Sequence, residues 1–223
     1  MSRVESREPD PYFPVSFEGT RHDSHVVPLD MSQVELLAAV LSRALQDEPN
    51  FKYLMPDEQA RTVMVPWFFS SVAIRACHLY GEIYTTESIE GGALWISPGQ
   101  TLAFEEMLRS EILAMPFKLE WVSVRRYINL GSRVEAVRKR LARGPHWYLM
   151  AHGMEPSKQE LAISTTLLEP VLSQADFHGL SCYLETFDER NLPLYEGCGF
   201  RVHGAGYIPG GGPNFWAMMR SPQ

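Results

Sequence analysis

His146-Trp147-Tyr148-Leu149-Met150-Ala151-His152-Gly153-Met154 is a run of aromatic and apolar residues opened by Gly144-Pro145. Such a run between turn formers reads as a buried strand. Glu155-Pro156-Ser157 stops it, because proline has no N–H to give to a ladder. Beyond it Leu161, Thr165, Leu168 and Leu172 recur at three- and four-residue spacing, which predicts a helix. The segment from Glu155 to Thr165 is thus a strand-to-helix turn. A turn of this kind aims unpaired main-chain N–H groups and the positive end of the helix dipole at one place, a generic anion site.

Working outward, Ser181 to Thr186 reads as a second buried strand and Asn191 to Gly197 as a short helix. Phe200 to Ile208 and Asn214 to Arg220 read as a closing strand pair, joined by Pro209-Gly210-Gly211-Gly212-Pro213. That glycine run does not lead into a helix carrying a lysine, so it is not a nucleotide loop. Upstream, Val26-Val27-Pro28-Leu29 predicts an edge strand. Asp30 or Ser32 then caps a helix whose buried stripe is Val34, Leu37, Leu41 and Ala44. Pro49 helps end that helix, and Phe51 to Met55 reads as a short apolar turn. A helix from about 57 to 79 carries Val63, Trp67, Phe68 and Ile74. Glu82 to Thr86 and Gly92 to Ile96 read as an antiparallel pair across the turn at Glu87 to Gly91. Residues 101 to 143 hold two helical patterns parted near Pro116, an insert ahead of the deciding strand. Arg138-Lys139-Arg140 and Arg143 read as a solvated helix C-terminus rather than a phosphate clamp.

The chain has 223 residues, 45% hydrophobic and 21% charged, which fits one globular domain over 25–223 behind a Pro-, Ser- and charge-rich flexible arm at 1–24. A formal net charge of −7 argues against a nucleic-acid or anionic-membrane partner and suits a cationic one. Cys77, Cys182 and Cys198 are odd in number and lack metal-ligand spacing, which predicts free thiols in a cytoplasmic protein. His22, His25, His146, His178 and His203 are scattered, so no metal is expected. The N-terminus lacks the apolar run of a secretion signal, and no stretch is read as long enough to span a bilayer.

Taken together, His146-Trp147-Tyr148-Leu149, Glu155-Pro156, Gln159, Ile163, Leu167-Leu168, Pro170, Ala175, Gly179-Leu180, Cys182-Tyr183-Leu184-Glu185-Thr186, Glu189-Arg190-Asn191, Tyr195, Gly199-Phe200, Gly211-Gly212-Pro213 and Phe215-Trp216-Ala217-Met218 resemble the GNAT superfamily of acyl-CoA-dependent N-acyltransferases. The likeness is strongest over 144–220. It implies an α/β (α+β) fold with a mixed, mostly antiparallel central sheet flanked by helices and splayed at the acyl-CoA-binding strand. It also implies acetyl-CoA or another acyl-CoA as cosubstrate, a small-molecule or peptide amine as acceptor, and leaves a homodimer open.

The resemblance places pyrophosphate binding on Gln159-Glu160-Leu161-Ala162-Ile163-Ser164, running on to Thr165. Here the sequence departs from the family, whose loop customarily carries two glycines. Glycine lets a backbone approach phosphate closely; Ala162 and Ser164 are small substitutes, while Glu160 adds negative charge. By the same resemblance Gly153 and Met154 lie on the acyl-CoA strand, Met154 offers its main-chain N–H to the acyl carbonyl, and Asn191 binds the pantetheine or phosphate region. Tyr195 becomes the general acid for the departing thiolate; otherwise it packs its helix onto the sheet. Direct attack by an amine needs a proton acceptor but no enzyme nucleophile. His152 is either that base or a buried histidine satisfied by a neighbour. Strand alternation puts Tyr148, Met150, His152 and Met154 on one face. Glu155 and Glu185 are read as a cap or surface charge before any role with amine or water. The function implied is acetyl transfer to a primary amine. A longer-chain or carrier-bound acyl donor, a related thioester reaction, and a non-catalytic binding module stay open.

Overall fold

The computed structural model describes residues 26–101, 121–158 and 161–223. The arm at 1–24, the front of the insert with Pro116, and Gln159 and Glu160 lie outside the described residues, as do the side chains of Leu161 and Ala162. In chain order the main elements are β1 (Val26–Pro28), α1 (Val34–Leu45), α2 (Pro49–Leu54), α3 (Glu58–Tyr80), β2 (Gly81–Thr86), β3 (Gly91–Ile96) and α4 (Trp121–Leu141). They continue as β4 (His146–Met154), α5 (Leu161–Thr166), α6 (Glu169–His178), β5 (Ser181–Thr186), α7 (Leu192–Gly197), β6 (Arg201–Tyr207) and β7 (Asn214–Arg220). The strands form one seven-stranded sheet in the order β1-β2-β3-β4-β5-β7-β6. Only β4 and β5 run parallel; the other neighbours are antiparallel. This is the mixed, mostly antiparallel sheet expected from the sequence.

Each face of the sheet has its own core. Leu37, Leu41, Phe69 and Ile74 from α1 and α3 pack with Leu94 and Ile96 on one face. Leu167, Val171 and Ala175 pack with Ala93, Trp95, Trp147 and Leu149 on the other. Successive β3 residues therefore serve opposite layers, as the two-residue period of a strand requires. A strand covered on both faces has no solvent side, and all of β3 is buried.

Local chemistry accounts for the helix ends. Asp30 Oδ1 accepts from the Ser32 N–H at 2.8 Å ahead of α1, and Asp57 Oδ1 accepts from the Ala60 N–H at 2.7 Å to cap α3. Helix α6 ends at Gly179, whose φ of 65° is left-handed; the Leu180 N–H closes back on Ala175 O at 2.8 Å.

Four expectations change. Pro49 opens α2 at a first-turn position that needs no N–H, so the stretch read as a turn at Phe51 to Met55 is mostly helix. Val63 is 69% exposed, and Val65 and Phe69 carry the buried face of α3 instead. The pattern from Leu161 to Leu172 is two helices, broken at Leu167-Leu168, because Pro170 suits the first turn of α6 and not the interior of a longer helix. Finally, α3 is 23 residues long and, among the described residues, is apolar and long enough to cross a membrane by length and composition. Here Val65, Phe69, Val72, Ala73 and Ile74 of that helix are buried within the fold.

Candidate active site

The site begins where two parallel strands part. Pairing between β4 and β5 runs from His146↔Ser181 to Leu149↔Leu184 and stops, although β4 continues to Met154. At the same point the β3–β4 register jumps from Leu94↔Ala151 to Trp95↔Leu149, leaving Met150 as the extra residue of a β-bulge. A bulge shifts the alternation by one. Tyr148 and Met150 therefore turn toward the α1–α3 layer, where Met150 Sδ lies 3.7 Å from Cys77 Sγ. His152 and Met154 turn to the opposite layer. The single face expected for Tyr148, Met150, His152 and Met154 is thus split, because strict alternation cannot pass through the extra residue.

The bulge and the parting of the strands aim backbone as well as side chains. The Glu155 N–H donates to Glu90 O at 2.7 Å, which makes Met154↔Gly91 the non-hydrogen-bonded pair of the ladder. Met154 accordingly turns its own N–H away from β3, to the side where β5 has diverged. Gly153 faces α1 instead. A Cβ there would come within 3.0 Å of the Ala44 Cβ and 3.3 Å of Leu45, so its smallness lets α1 lie close to β4.

Beside the split lies a cavity of about 500 Å³, walled by α1, α2, α3, α4, β4, β5 and the start of α7. Glu48, Asn191, Tyr195, His152 and Glu185 all line it. Glu48 sits between α1 and α2, and Asn191 Nδ2 donates to its Oε1 at 3.1 Å. The same Nδ2 lies 3.4 Å from Thr186 Oγ1. Burial pushes the Glu48 carboxyl up to about 7; the Asn191 hydrogen bond opposes the rise, the Asp188 charge adds to it and the Arg190 charge opposes it. Nothing local marks Glu48 in the sequence. It lies in Gln46-Asp47-Glu48-Pro49, between two helices, and its partner Asn191 is 143 residues away.

Tyr195 is 7% exposed on α7, its ring 6.0 Å from the His152 ring and 6.1 Å from that of Phe200. Burial raises its hydroxyl well above the usual phenol range, with the Glu48 and Cys198 charges adding. It stays protonated at any working pH. His152 Nε2 lies 3.0 Å from the Ser164 main-chain oxygen and 3.3 Å from Ser164 Oγ. Burial lowers the imidazole to about 4, with the Ser164 bond opposing. The carbonyl of Ser164 is accessible to it because the Leu168 N–H bonds Thr165 O, at the break between α5 and α6.

Two residues read as solvated are not. Burial brings the Glu185 carboxyl up to about 7, opposed by the neighbouring Tyr183 hydroxyl, the Arg138 charge and the Tyr148 hydroxyl. Arg138 is 5% exposed, with its guanidinium 5.3 Å from the centre of the Tyr148 ring. A strand end and a helix end facing solvent looked the natural places for these charges, but α4 lies across the cavity and brings them together. Glu155, by contrast, stays near the surface, where both its oxygens accept from Arg43 at 2.7 to 3.2 Å.

For the loop expected to hold pyrophosphate, the described part is the helix Leu161–Thr166 and the turn Pro156–Lys158. Ile163, Ser164 and Thr165 are half-buried on α5, and Ser164 is tied to β4 through His152. Among the described residues no group of three or more His, Cys, Asp or Glu is placed to hold a metal.

No family model matches the chain. It is 29% identical over 173 residues to an uncharacterized N-acetyltransferase, C550.08, of Schizosaccharomyces pombe, covering 73% of this chain and 68% of the relative. The fold is also similar to that of an acetyltransferase of Corynebacterium glutamicum described as histone acetyltransferase HPA2 and related acetyltransferase. There the TM-score is 0.60 at 21% identity, over 90% of this chain and 97% of the other. A polyamine N-acetyltransferase of Drosophila melanogaster, which forms N-acetylagmatine, superposes with a TM-score of 0.64 at 14% identity, over 89% and 100% of the two chains. The splayed parallel pair, the bulged fourth strand and this likeness in sequence and fold support a GNAT N-acetyltransferase domain.

Proposed function

We propose that the protein transfers an acyl group, acetyl by default, from acyl-CoA directly to a primary amine, with Glu48 as general base and Tyr195 as general acid. The observation that carries this reading is the Glu48 carboxyl, poised near 7 in the same cavity as the buried Tyr195 hydroxyl. A base is most useful when its pKa lies near the working pH. An amine arrives as an ammonium ion and cannot attack until a proton leaves it. Glu48 takes that proton, and the free amine adds to the thioester carbonyl. The Met154 N–H, turned into the split, is in the right part of the fold to hold the oxyanion. Collapse expels the CoA thiolate, which takes its proton from Tyr195, and the adduct nitrogen releases its surplus proton to restore the Tyr195 hydroxyl and leave the neutral amide.

The residues present suit such a cosubstrate. Among the described residues no strand lies beside β4 beyond Leu149 on the β5 side, so an extended pantetheine arm can lie along its N–H and C=O groups there. Main-chain N–H groups opening α5 would face the diphosphate. In this reading His152 holds Ser164, and thus α5, against β4, while Asn191 orients Glu48. Free Cys77, Cys182 and Cys198 fit a reducing, cytoplasmic setting.

Thermal-shift titration checks the donor. Acetyl-CoA at a hundredfold over its dissociation constant is expected to stabilise the fold by about 2.7 kcal/mol, and free CoA is expected to shift the melting temperature as well. A shift seen only with long-chain acyl-CoA would move the donor assignment away from acetyl. No shift with any of them would remove the enzyme reading.

A further inference from the structure

The same cavity speaks to the acceptor, and the inference rests on the transfer reading above. We infer that the acceptor is a primary amine with one positive charge, carried on a bulky apolar body, aromatic or medium-chain aliphatic, and not a polyamine. A volume of about 500 Å³ is that of a small-molecule site rather than a slot for water. Its apolar wall includes Phe51, Met64, Phe68, Ile128, Val134 and Met150. The Phe51, Phe68 and Phe69 rings lie within 5.5 to 6.0 Å of one another, a continuous aromatic surface. Methionine among aromatic rings adapts to ligands of differing outline.

Among the described residues, charge placement favours a ligand with one cation. Among the described residues the carboxylates on the wall are Glu48, Glu135 and Glu185. Glu135 is bound by Lys139, one helical turn on. Glu185 shares its corner with the Arg138 guanidinium and the hydroxyls of Tyr183 and Tyr148. Glu48 has a neutral direct partner in Asn191, and the nearby Arg190 is already held by both oxygens of Asp188. Among the described residues the ammonium of the acceptor therefore has one such carboxylate to meet, Glu48, which lines the cavity together with Tyr195. A second ammonium further in would shed its water against phenylalanine and methionine, or sit beside Arg138. Both are costly.

Matched amines test this on the wild-type protein. CoA release from acetyl-CoA is followed with propylamine, octylamine, 2-phenylethylamine and 1,8-diaminooctane, alongside the acetyl-CoA thermal shift. Octylamine and 2-phenylethylamine are expected to exceed propylamine in kcat/KM by about tenfold or more. Octylamine is expected to exceed 1,8-diaminooctane, which differs by one terminal ammonium, by about tenfold or more. A diamine as good as octylamine, or no gain from the longer body, would overturn the inference while leaving the transferase reading standing. Acetyl-CoA binding without turnover of any of the four amines would overturn it too. A protein that binds no acyl-CoA would fail at the earlier step, and the two failures are told apart by the thermal shift. Introducing Met64→Glu places a carboxylate on the apolar wall and is expected to reverse the octylamine to diaminooctane preference; an unchanged ratio in the folded variant would count against the charge argument.

Discussion

Replacing Glu48 by glutamine is expected to lower kcat/KM for the amine by about a hundredfold or more, the usual worth of a positioned general base. Glutamine keeps the shape and an oxygen for Asn191 Nδ2, which lies 3.1 Å from Glu48 Oε1, but it cannot take the proton. Wild-type kcat/KM should rise with pH through about 7 as the Glu48 carboxyl ionises, and the variant should lose that limb. His152, lowered to about 4, is already neutral across this range and adds no step there.

Stability is expected to move the other way. The Glu48 pKa is raised on folding, from about 4.5 in the unfolded chain to about 7. Such a group favours the folded state fully below its unfolded pKa, and that contribution is lost as pH rises through the folded value. Glu48→Gln should therefore melt above wild type at pH 8, with the difference shrinking as pH falls toward 4.5. Equal melting temperatures at pH 8, or an activity that follows the same pH limb in both proteins, would place the base elsewhere. Glu185, also raised to about 7 in the same cavity, would then be the candidate base.

Tyr195→Phe is the second large effect. The variant keeps the ring that packs against His152 and Phe200 and removes the hydroxyl alone. Loss of a general acid to the thiolate is expected to lower kcat by about a hundredfold, with the KM for acetyl-CoA little changed. Because the Tyr195 hydroxyl is raised far above neutrality, its removal should leave the rising limb near pH 7 in place. The two variants thus separate in their pH profiles. A Tyr195→Phe protein with wild-type kcat would leave Tyr195 as a packing residue only.

The deciding strand, its stop at Glu155-Pro156 and the flanking pairs β2–β3 and β6–β7 follow from patterns within a few residues of each element, and they stand where the sequence put them. So do the buried Leu37 and Leu41 of α1. What local pattern could not carry was register. The bulge at Met150 depends on how β3 and β4 fit across the 49 residues between Ile96 and His146, and no glycine or proline marks it. That one residue decides which layer His152 enters. Pro170 did carry a signal for the break between α5 and α6, which the leucine spacing obscured.

At the candidate site, the motif singles out Tyr195 and Asn191, and both line the cavity. Glu48 was invisible because its environment is made by α2, α7 and the end of β5, remote in sequence. Glu185 and Arg138 were misjudged for a related reason. A charge at a strand or helix end is usually solvated, unless another element lies over it, as α4 does here.

Direct transfer between two bound substrates is the centre of this account, and initial-velocity kinetics with acetyl-CoA and octylamine both varied tests it most directly. The account predicts amine-dependent CoA release with intersecting double-reciprocal lines, the pattern of a ternary complex. Parallel lines would mean an acyl-enzyme intermediate and a nucleophile assigned nowhere above. CoA release that ignores the amine, or none at all, would contradict the assignment of this cavity to an amine.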